Sequence, residues 1–510
     1  GFQKNNLSFE IPASNLGVST TRIRYQLVND LGVASDYQST AFTELTYART
    51  PNLGGADYFE MKIPFNELET KSHYIFSSFS SSNPWAFVLG NTVKKIPVVI
   101  SGSNHEILIP NGPSGATQDF VILDESKMLV PIGPVVVFGA SNFPLAYSTA
   151  GGDTAAALAA GCPIIVKSHP MHAGTGELVA SAIMKAASTT KMPNGVFSNL
   201  NSSGIEVGIT LVKHPKVKAV GFTGSISGGR SLYNIAAQRP EPIPVFAEMG
   251  SINPVIMLPN ALKNRSESLA KTYASSITLG TGQFCTNPGL IIGIKGNDLT
   301  NFISTLANEI VKIEPSCMLH PNIYGAYESN KAKALSQPEL SVVANYDTDV
   351  KENYARQAIT TVEGKTFLAN TTLHQEVFGP FSMVVQCENV VQMEAIISNL
   401  EGQLTGTLIA DGEAEQYSNI ISALQNRVGR LIYNGVPTGV EVCPSMVHGG
   451  PYPASTDSRF TAVGINSIKR WVRPFSFQDW PNQLLPDELK NENPLGISRN
   501  VDGKQTNQKI

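Results

Sequence analysis

The sequence predicts an α/β protein in which helices cover a parallel sheet on both faces and a second α/β domain follows. From about Val130 onward, short apolar runs that resemble buried strands alternate with segments of helical composition. Continuous apolar strands separated by helices are typical of parallel sheets, because both faces of such a sheet are buried. The length of 510 residues also exceeds what one compact core supports, so two or three domains are expected.

The first alternating set contains five predicted strands and four predicted helices. The strands are PVVVFGA (134–140), PIIVKS (163–168), GVFSNL (195–200), VKAVGFTGS (217–225) and IPVFAEMG (243–250). The helices are GGDTAAALAAGC (151–162), TGELVASAIMKAAS (175–188), IEVGITLVKHP (205–215) and GGRSLYNIAAQ (228–238). Parallel units of this kind cross over with right-handed topology.

A second alternating set follows. Its strands are NPVIML (253–258), GLIIGIK (289–295), GPFSMVVQC (379–387), GTLIAD (406–411) and GRLIYNG (429–435). Its helices are SLAKTYASSITLG (268–280), LTNFISTLANEIVKI (299–313), VVQMEAIISNL (390–400) and YSNIISALQNRV (417–428). Residues 1–125 are instead rich in Ser, Asn, Gly and Pro and show neither helical nor strand periodicity, so no elements are predicted there.

The composition argues against several classes of partner. Charged residues make up 15% of the chain, the net charge is -4, and no run of Lys and Arg is present, so nucleic acid is not expected as a partner. No apolar run is long enough to span a bilayer, so no membrane is expected. The five cysteines are scattered and form no C-x-x-C pair, which argues against a disulfide framework and against a metal site. A reducing compartment fits this pattern, and a cytoplasmic location is expected.

Cys285 stands in an unusual setting, the stretch LGTGQFCTNPG (279–289). It is predicted to close a helix that reads LAKTYASSITLGTGQF (269–284), on a Gly-rich exit with room for a planar ligand. The thiolate is the nucleophilic form of cysteine, and access together with a nearby base or dipole enhances it. Cys285 is therefore a candidate nucleophile, and an inert buried thiol is the alternative.

Three further stretches place candidate site residues at strand ends. In VFAEMGSINP, Glu248 ends an apolar strand, where a carboxylate of an open α/β sheet can act as a general base. In FGASNFPLAY, Asn142 follows a strand, and its amide can donate to a developing oxyanion. In VGFTGSISGGR, Gly224 and Gly229 bound a turn that can hold a pyrophosphate at a helix N-terminus. The ordinary alternatives are a surface or capping carboxylate, turn chemistry and glycine packing.

Six motifs in chain order together resemble those of the aldehyde dehydrogenase superfamily. They are SNFP, IIVKSHP, GFTGS, AEMGSINP, GQFC and QEVFGPF, which are similar to the family's W-N-F-P, V-V-K-P-x-E, G-F-T-G-S, E-L-G-G-K-N-P, G-Q-x-C and E-x-F-G-P. The resemblance covers residues 130–473. HGGPYPAST stands where most members have P-F-G-G-x-K-x-S-G, and this version resembles the α-ketoglutarate-semialdehyde and Vibrio fatty-aldehyde dehydrogenase branch.

The resemblance implies a Rossmann-type cofactor domain, a second α/β catalytic domain and a small oligomerisation arm. The cofactor domain is expected over residues 1–247, interrupted near 110–130 by part of the arm. The catalytic domain is expected over residues 248–440, and residues 441–510 are expected to return to the cofactor domain and the arm. A homodimer or homotetramer is expected.

The resemblance also implies NAD(P)-dependent oxidation of an aldehyde to the carboxylic acid. Cys285 would attack the aldehyde, the Asn142 amide and the Cys285 backbone N–H would meet the oxyanion, and hydride would leave to give a thioester. Glu248 would then activate water, and small residues near Cys285 would let the nicotinamide lie against the sulfur. His448, in MVHGGPYP, is expected either as a base or polar neighbour of the thiol or as a packed or solvated residue. The substrate is expected to be α-ketoglutarate semialdehyde or an aliphatic aldehyde.

The family's cofactor contacts can be carried over residue by residue. Lys167 is expected at the adenosine ribose, Ser225 at the pyrophosphate, and Glu376 with Phe378 at the nicotinamide ribose and ring. Gly204 and Gly208 are expected to line the adenine side. The full set of expected cofactor contacts is Phe138, Ser141, Lys167, Ser168, Pro170, Gly204, Gly208, Phe222, Gly224, Ser225, Gly229, Met249, Gly250, Glu376 and Phe378.

Pro170 departs from the family pattern. It stands at the position of the glutamate that holds the ribose hydroxyls and repels a 2′-phosphate. The arginine that some members place on the 2′-phosphate falls at Ile205. Neither cofactor is strongly selected by these residues, so both NAD and NADP are expected to be accepted.

Two other functions would use the same residues. One is a cofactor-independent thiol esterase, against which the Gly224–Gly229 turn and Glu376 argue. The other is a catalytically silent structural protein, against which the combined presence of Cys285, Glu248 and Asn142 argues.

Overall fold

The chain divides into two compact units. The structure is a computed structural model that describes residues 52–56, 58–64, 71–79, 84–89, 94–101, 104–110, 117–124, 130–439, 443, 445–475, 481–485, 489–494, 499–501, 504–506 and 508–509. One unit consists of Gly1–Met128 and Phe475–Ile510, and the other of Leu129–Pro474. All six sequence motifs lie in the second unit.

Eight strands of the first unit form two four-stranded sheets, with orders β1-β3-β7-β6 and β2-β8-β4-β5. They are β1 (Asn52–Ala56), β2 (Tyr58–Pro64), β3 (Lys71–Phe79), β4 (Pro84–Leu89), β5 (Lys94–Ile96), β6 (Val98–Ser101), β7 (Asn104–Pro110) and β8 (Thr117–Asp124). Only the β1–β3 pair is parallel among them. In β7 the alternate residues His105, Ile107 and Ile109 are buried, as in a strand with one covered face. The sequence predicts no elements in this region.

A five-stranded parallel sheet opens the second unit, with order β12-β11-β10-β13-β14. Its region contains β9 (Val130–Pro131), β10 (Val135–Phe138), α1 (Gly152–Ala159), β11 (Ile164–Lys167), α2 (Ala173–Thr189), β12 (Phe197–Leu200), α3 (Ile205–Lys213), β13 (Ala219–Thr223), α4 (Ile226–Ala237) and β14 (Val245–Glu248). Val135 and Val137 pack into one apolar cluster, and Val136 packs into another. Both faces are therefore covered, which confirms the predicted strands, helices and parallel arrangement.

A seven-stranded sheet follows, with order β17-β18-β19-β16-β15-β20-β21. Its elements are β15 (Val255–Met257), α5 (Pro259–Thr278), β16 (Leu290–Ile294), α6 (Asn297–Ile310), α7 (Pro321–Leu335), β17 (Ser341–Asn345), β18 (Ala358–Glu363), α8 (Gly364–Ala369), β19 (Phe381–Cys387), α9 (Val390–Asn399), β20 (Gln403–Ile409), α10 (Ser418–Gln425) and β21 (Val428–Tyr433). Only β17 runs antiparallel to its neighbour within this sheet. The predicted strands and helices of this region are confirmed, apart from the end of the helix before Cys285.

Four elements of this second region have no counterpart in the sequence prediction, namely α7, β17, β18 and α8. The buried face of α7 includes Tyr327 and Lys331, so the helix shows no continuous apolar stripe. In β18 the buried residues include Thr360 and Thr361, which interrupt the apolar run expected of a central strand.

Three short strands complete the described chain. β22 (Val472–Arg473) pairs with β9 in the second unit, and β23 (Arg499–Val501) pairs with β24 (Lys504–Thr506) in the first. Within the described ranges, none of the helices is long and apolar enough to cross a membrane.

The segment before Cys285 corrects one expectation. The predicted helix over 269–284 ends earlier, because α5 stops at Thr278 and a 3-10 turn follows. The residues with left-handed backbone in this turn are Gly280, Thr281 and Gly282, with φ of 55°, 59° and 63°. A Cβ at Gly282 would collide with the backbone of Gly379. Glycine is thus required there by a close backbone approach, and Cys285 lies on a loop rather than at the end of a helix.

Candidate active site

Glu248, Cys285 and His448 meet although they are far apart in the sequence. His448 Nε2 lies 3.0 Å from Glu248 Oε1 and 3.7 Å from Cys285 Sγ. The functional atoms of the three side chains all lie within 4.8 Å of one another. Glu248 and His448 are each 1% exposed, and Cys285 is half-buried. A carboxylate, an imidazole and a thiol therefore share one water-poor centre.

Glu248 is the last residue of β14 and is held from both sides. On one side it pairs in register with Thr223 of β13. On the other side it lies opposite Ser455 in an isolated antiparallel bridge, and Met249 N donates to Ala454 O at 2.8 Å. The carboxylate therefore projects from a backbone with little freedom, at the carboxyl end of a parallel sheet.

The backbone of His448 is also fixed by two hydrogen bonds. Its N–H donates to Thr461 Oγ1 at 2.8 Å, and its carbonyl accepts from Ala462 N at 2.8 Å. The Tyr147 ring lies 5.9 Å from the imidazole, measured between ring centroids. Of the two expectations for His448, the structure places it as a neighbour of the thiol.

Asn253 fixes the loop that carries Cys285. Its Nδ2 donates to the carbonyls of Cys285 and Asn287, each at 2.9 Å. Its Oδ1 accepts from the hydroxyls of Ser251 and Thr405, each at 2.9 Å. Asn253 is fully buried and has φ of 48°, a conformation that asparagine tolerates better than most residues. Asn253 was not among the residues predicted from the sequence, although it stands in the AEMGSINP motif.

Asn142 lies against the same loop. One N–H of its amide donates to Gln283 O at 3.0 Å. The neighbouring Phe143 ring packs edge-on against Phe284, with centroids 5.6 Å apart. An amide nitrogen carries two N–H groups, so the second remains for an oxyanion formed at Cys285.

The thiol and the carboxylate of this centre have pKa values that are shifted in opposite directions. Burial raises the pKa of Cys285 well above its usual value, and the charge of Glu248 raises it further. Burial would also raise the pKa of Glu248, but the charge and hydrogen bond that His448 supplies when it is protonated, with the charge of Arg470, outweigh it and hold this pKa below its usual range. At neutral pH the carboxylate is therefore ionised and the thiol is protonated. A reaction at sulfur has to begin by removing that proton.

Arg470 and Asp153 form a buried ion pair at 2.9 Å behind this centre. The Arg470 side chain is 2% exposed, and its guanidinium lies 5.7 Å from the Phe246 ring centroid. The charge of Arg470 also lowers the pKa of Glu248. Neither residue was predicted as part of the site, because an ion pair between positions so distant in the chain leaves no local signal in the sequence.

Most of the residues expected to contact a cofactor lie at or near the carboxyl ends of strands in the five-stranded sheet. They follow the carboxyl ends of β10, β11, β13 and β14 or begin α3 and α4, and Glu376 and Phe378 precede β19. Ser225 caps α4, since its Oγ accepts from Gly228 N at 3.2 Å. A Cβ at Gly208 would lie 3.0 Å from the Phe138 ring, so this glycine lets α3 approach the sheet. Their roles toward a cofactor stay predictions.

Glu376 fits a group that carries hydroxyl donors. Its one hydrogen bond among the described residues is a long one, from Ser251 N at 3.5 Å. Burial raises the pKa of Glu376 to about 7. A cavity of about 140 Å³ is lined in part by Glu376, Phe378 and Gly282, beside the Cys285 loop. Largely unused carboxylate oxygens at such a cavity suit the ribose hydroxyls of a dinucleotide, so the residues present fit this cofactor.

The region of Pro170 is less well equipped for a phosphate. Burial and the nearby charges of His172 and Lys167 lower the pKa of His169 to about 4, so this imidazole is neutral at pH 7. Ser168 Oγ already donates to Asn199 Oδ1 at 2.7 Å. Lys167 Nζ donates to a backbone carbonyl, Ser202 O, at 2.6 Å. Lys167 is therefore the cation that these residues offer to a 2′-phosphate.

Comparisons with known proteins agree on one family. The model of the aldehyde dehydrogenase family matches residues 124–451. The alpha-ketoglutaric semialdehyde dehydrogenase 2 of Azospirillum brasilense is 48% identical over 376 residues, which cover 74% of this chain and 72% of that protein. The alpha-ketoglutaric semialdehyde dehydrogenase of Acinetobacter baylyi is 44% identical over 386 residues, 75% of this chain and 73% of that protein.

A solved structure shows the same fold at low sequence identity. It is a point mutant of betaine aldehyde dehydrogenase from Staphylococcus aureus in complex with NAD+, with a TM-score of 0.58 and 18% identity. The match covers 67% of this chain and 67% of that one.

Replacing Asn253 tests whether it holds the Cys285 loop. Asn253→Ala should lower the free energy of unfolding by about 1–3 kcal/mol, because the carbonyl of Cys285 loses its donor and that of Asn287 keeps only the Gly289 N–H. Cys285 should also react faster with iodoacetamide, relative to the exposed Cys317, because its loop is less confined. Urea unfolding and peptide mass spectrometry measure the two effects. Asn426→Ala, which removes one exposed hydrogen bond, serves as the control, and unchanged stability with unchanged alkylation of Cys285 would refute this role of Asn253.

Proposed function

The chain belongs to the aldehyde dehydrogenase family, and from this premise we propose that it oxidises α-ketoglutaric semialdehyde to the corresponding dicarboxylic acid. NAD(P)-dependent oxidation of an aldehyde is the reaction of this family. The substrate is supported by the activity named for two relatives at 48% and 44% identity. The observation that carries the chemistry is the meeting of Cys285, His448 and Glu248 within 4.8 Å.

Cys285 begins the reaction by attacking the aldehyde carbon. Its proton passes to the neutral form of His448 in which Nε2 carries no hydrogen, and this nitrogen lies 3.7 Å from Sγ. Glu248 Oε1, 3.0 Å from the same nitrogen, accepts a hydrogen bond from the imidazolium that forms. The ionised carboxylate thus stabilises the state in which the thiolate attacks.

The oxyanion that forms on the former aldehyde oxygen is met by two donors. They are the second N–H of the Asn142 amide and the backbone N–H of Cys285. Loss of one such donor typically raises the barrier by about 2.7–4 kcal/mol. The hydrogen bond from Asn142 to Gln283 O keeps the amide aimed at the nucleophile's loop before the substrate arrives.

When bound, the dinucleotide supplies the acceptor for the hydride that leaves the tetrahedral carbon. Glu376 would hold its nicotinamide ribose, and Ser225 at the start of α4 would lie at its pyrophosphate. Lys167 would lie at its adenosine ribose. Loss of the hydride leaves the substrate carbon as a thioester on Cys285.

Glu248 then activates the water that hydrolyses the thioester. Its Oε2 is buried and has no hydrogen-bond partner among the described residues. This oxygen accepts the proton of the attacking water, the C–S bond breaks, and His448 returns its proton to the Cys285 thiolate. The carboxylic acid is released, the thiol is regenerated, and Glu248 gives up its proton to solvent, so that the carboxylate is ionised again.

Glu248→Gln separates the two halves of this reaction. The Gln oxygen can still accept from the imidazolium, so one equivalent of reduced cofactor should appear per site in a burst. Steady turnover should then fall by about 10²–10⁴-fold, the usual contribution of a general base. Stopped-flow absorbance of the reduced cofactor measures both phases, with the exposed Glu241→Gln as control. Loss of the burst together with turnover would place Glu248 in the first step instead.

We propose that both NAD and NADP serve as cofactors. Pro170 offers no side-chain acceptor to the ribose hydroxyls of NAD, which loses a charged hydrogen bond of roughly 1.5–3 kcal/mol. NADP escapes repulsion by a carboxylate but meets Lys167 alone, since His169 is neutral at pH 7 and Ile205 is apolar. These effects oppose each other and are of similar size.

Pro170→Glu tests this balance. Wild-type specificity constants for NAD and NADP should lie within about two orders of magnitude, since each tenfold corresponds to ~1.4 kcal/mol. The glutamate should shift the preference toward NAD by adding a ribose partner and repelling the 2′-phosphate. Pro170→Gln is the matched control, which adds an acceptor without the charge. Wild-type activity confined to one cofactor, or a gain of NADP preference in Pro170→Glu, would show that other residues select the cofactor.

We also propose a homodimer or homotetramer, a cytoplasmic location, and domains over residues 1–247, 248–440 and 441–510. The first boundary is supported by the end of β14 at Glu248, since the next sheet begins with β15. An aldehyde panel run with each cofactor separates the dehydrogenase from a thiol esterase or a silent protein, because only the dehydrogenase produces reduced cofactor. The same panel tests an aliphatic aldehyde as the substrate.

A further inference from the structure

Arg430 lies near the loop that carries His448, but it takes part in none of the proposed catalytic steps. It stands on β21, an edge strand of the seven-stranded sheet, opposite Thr405 of β20. A Cβ at the adjacent Gly429 would collide with the carbonyl oxygen of Gly449, the residue after His448. The edge strand and the His448 loop are therefore in direct backbone contact next to Arg430.

The Arg430 guanidinium is half-buried and poorly satisfied. Its Nη2 donates to Gly439 O at 3.3 Å, and its Nη1 lies 4.0 Å from Met446 Sδ. Its Nε is buried and has no hydrogen-bond partner among the described residues. A guanidinium carries five N–H donors, so most of its capacity is unused.

Two other charged groups near the centre are paired. Glu248 lies 3.0 Å from His448, and Asp153 lies 2.9 Å from Arg470. No carboxylate lies within ion-pair distance of Arg430 in the part of the chain that the structure describes. A cation withdrawn from water without a partner is costly, so an anion supplied from outside would stabilise it.

Arg430 interacts electrostatically with Cys285 and Tyr147. Burial lowers the pKa of Arg430, while the charges of Cys285 and Tyr147 act to raise it. Burial, followed by the charges of Glu248 and Cys285, raises the pKa of Tyr147. The Tyr147 phenol thus stays neutral and adds no negative charge against a bound anion.

We propose that Arg430 binds the carboxylate at the far end of an aldehyde substrate, and so selects short aldehydes that carry a terminal acid. This inference rests on the proposed function, in which α-ketoglutaric semialdehyde has an aldehyde at one end and a carboxylate at the other. Arginine suits this task because its planar fork matches both oxygens of a carboxylate. The Gly439 carbonyl keeps the guanidinium oriented while the substrate enters.

A pair of aldehydes of equal length tests this assignment. 5-Oxopentanoate and pentanal both have five carbons, and they differ in a terminal carboxylate against a methyl group. Wild-type protein should prefer 5-oxopentanoate. Arg430→Met should lower kcat/KM for 5-oxopentanoate and for α-ketoglutaric semialdehyde by about 10–100-fold, mainly through KM, as expected for a charged hydrogen bond. Its kcat/KM for pentanal should change by less than about threefold, and Arg430→Lys should recover part of the preference.

Arg427→Met is the matched control, since Arg427 donates to the Ser398 carbonyl and removing it deletes one cation from the same region. Arg427→Met should keep the wild-type preference. A preference for 5-oxopentanoate that survives Arg430→Met, or an equal loss with both aldehydes and a lower melting temperature, would overturn the role of Arg430 and leave the proposed function intact. Wild-type protein that oxidises pentanal as well as 5-oxopentanoate would overturn the carboxylated substrate and the role of Arg430 together.

Discussion

Glu248 and His448 are buried together, each 1% exposed, and their 3.0 Å contact makes this burial tolerable. An isolated charge in such a place carries a desolvation penalty of several kcal/mol, and breaking a buried pair by removing one partner typically destabilises a protein by about 3–5 kcal/mol. The contact also places Nε2 within reach of the Cys285 sulfur. The same interaction therefore keeps the carboxylate ionised and orients the imidazole.

Close backbone approaches make this contact possible. Gly429 meets the backbone of Gly449, and Gly450 meets the carbonyl of Gln403, so the His448 loop lies directly on the edge of the seven-stranded sheet. Gln403 in turn accepts from Ile252 N at 2.7 Å, next to the asparagine that holds the Cys285 loop. Side chains at these glycines would push the His448 loop away from β20 and β21. The position of His448 at the reactive centre thus depends on the packing of its loop against β20 and β21.

The sequence predicted the parts of this protein that rest on local patterns. The apolar strands around Val136 and the position of Glu248 at a strand end follow from burial on both faces of a parallel sheet. The end of the helix before Cys285 was misplaced, because three residues with left-handed backbone interrupt an otherwise helical composition. Asn253 and Arg430 were not found, since their roles depend on contacts with segments more than ten residues away. The strands of the first unit were not predicted, because polar residues such as His105 occupy buried positions.

The proposed mechanism requires Cys285 as the covalent nucleophile, and turnover by Cys285→Ala tests this requirement most directly. Aldehyde oxidation followed by absorbance of the reduced cofactor should be abolished in this variant. Its melting temperature and its thermal stabilisation by NAD should match those of the wild type, and Ala variants of the other four cysteines should remain active. Sustained oxidation of the aldehyde by purified Cys285→Ala would contradict the mechanism.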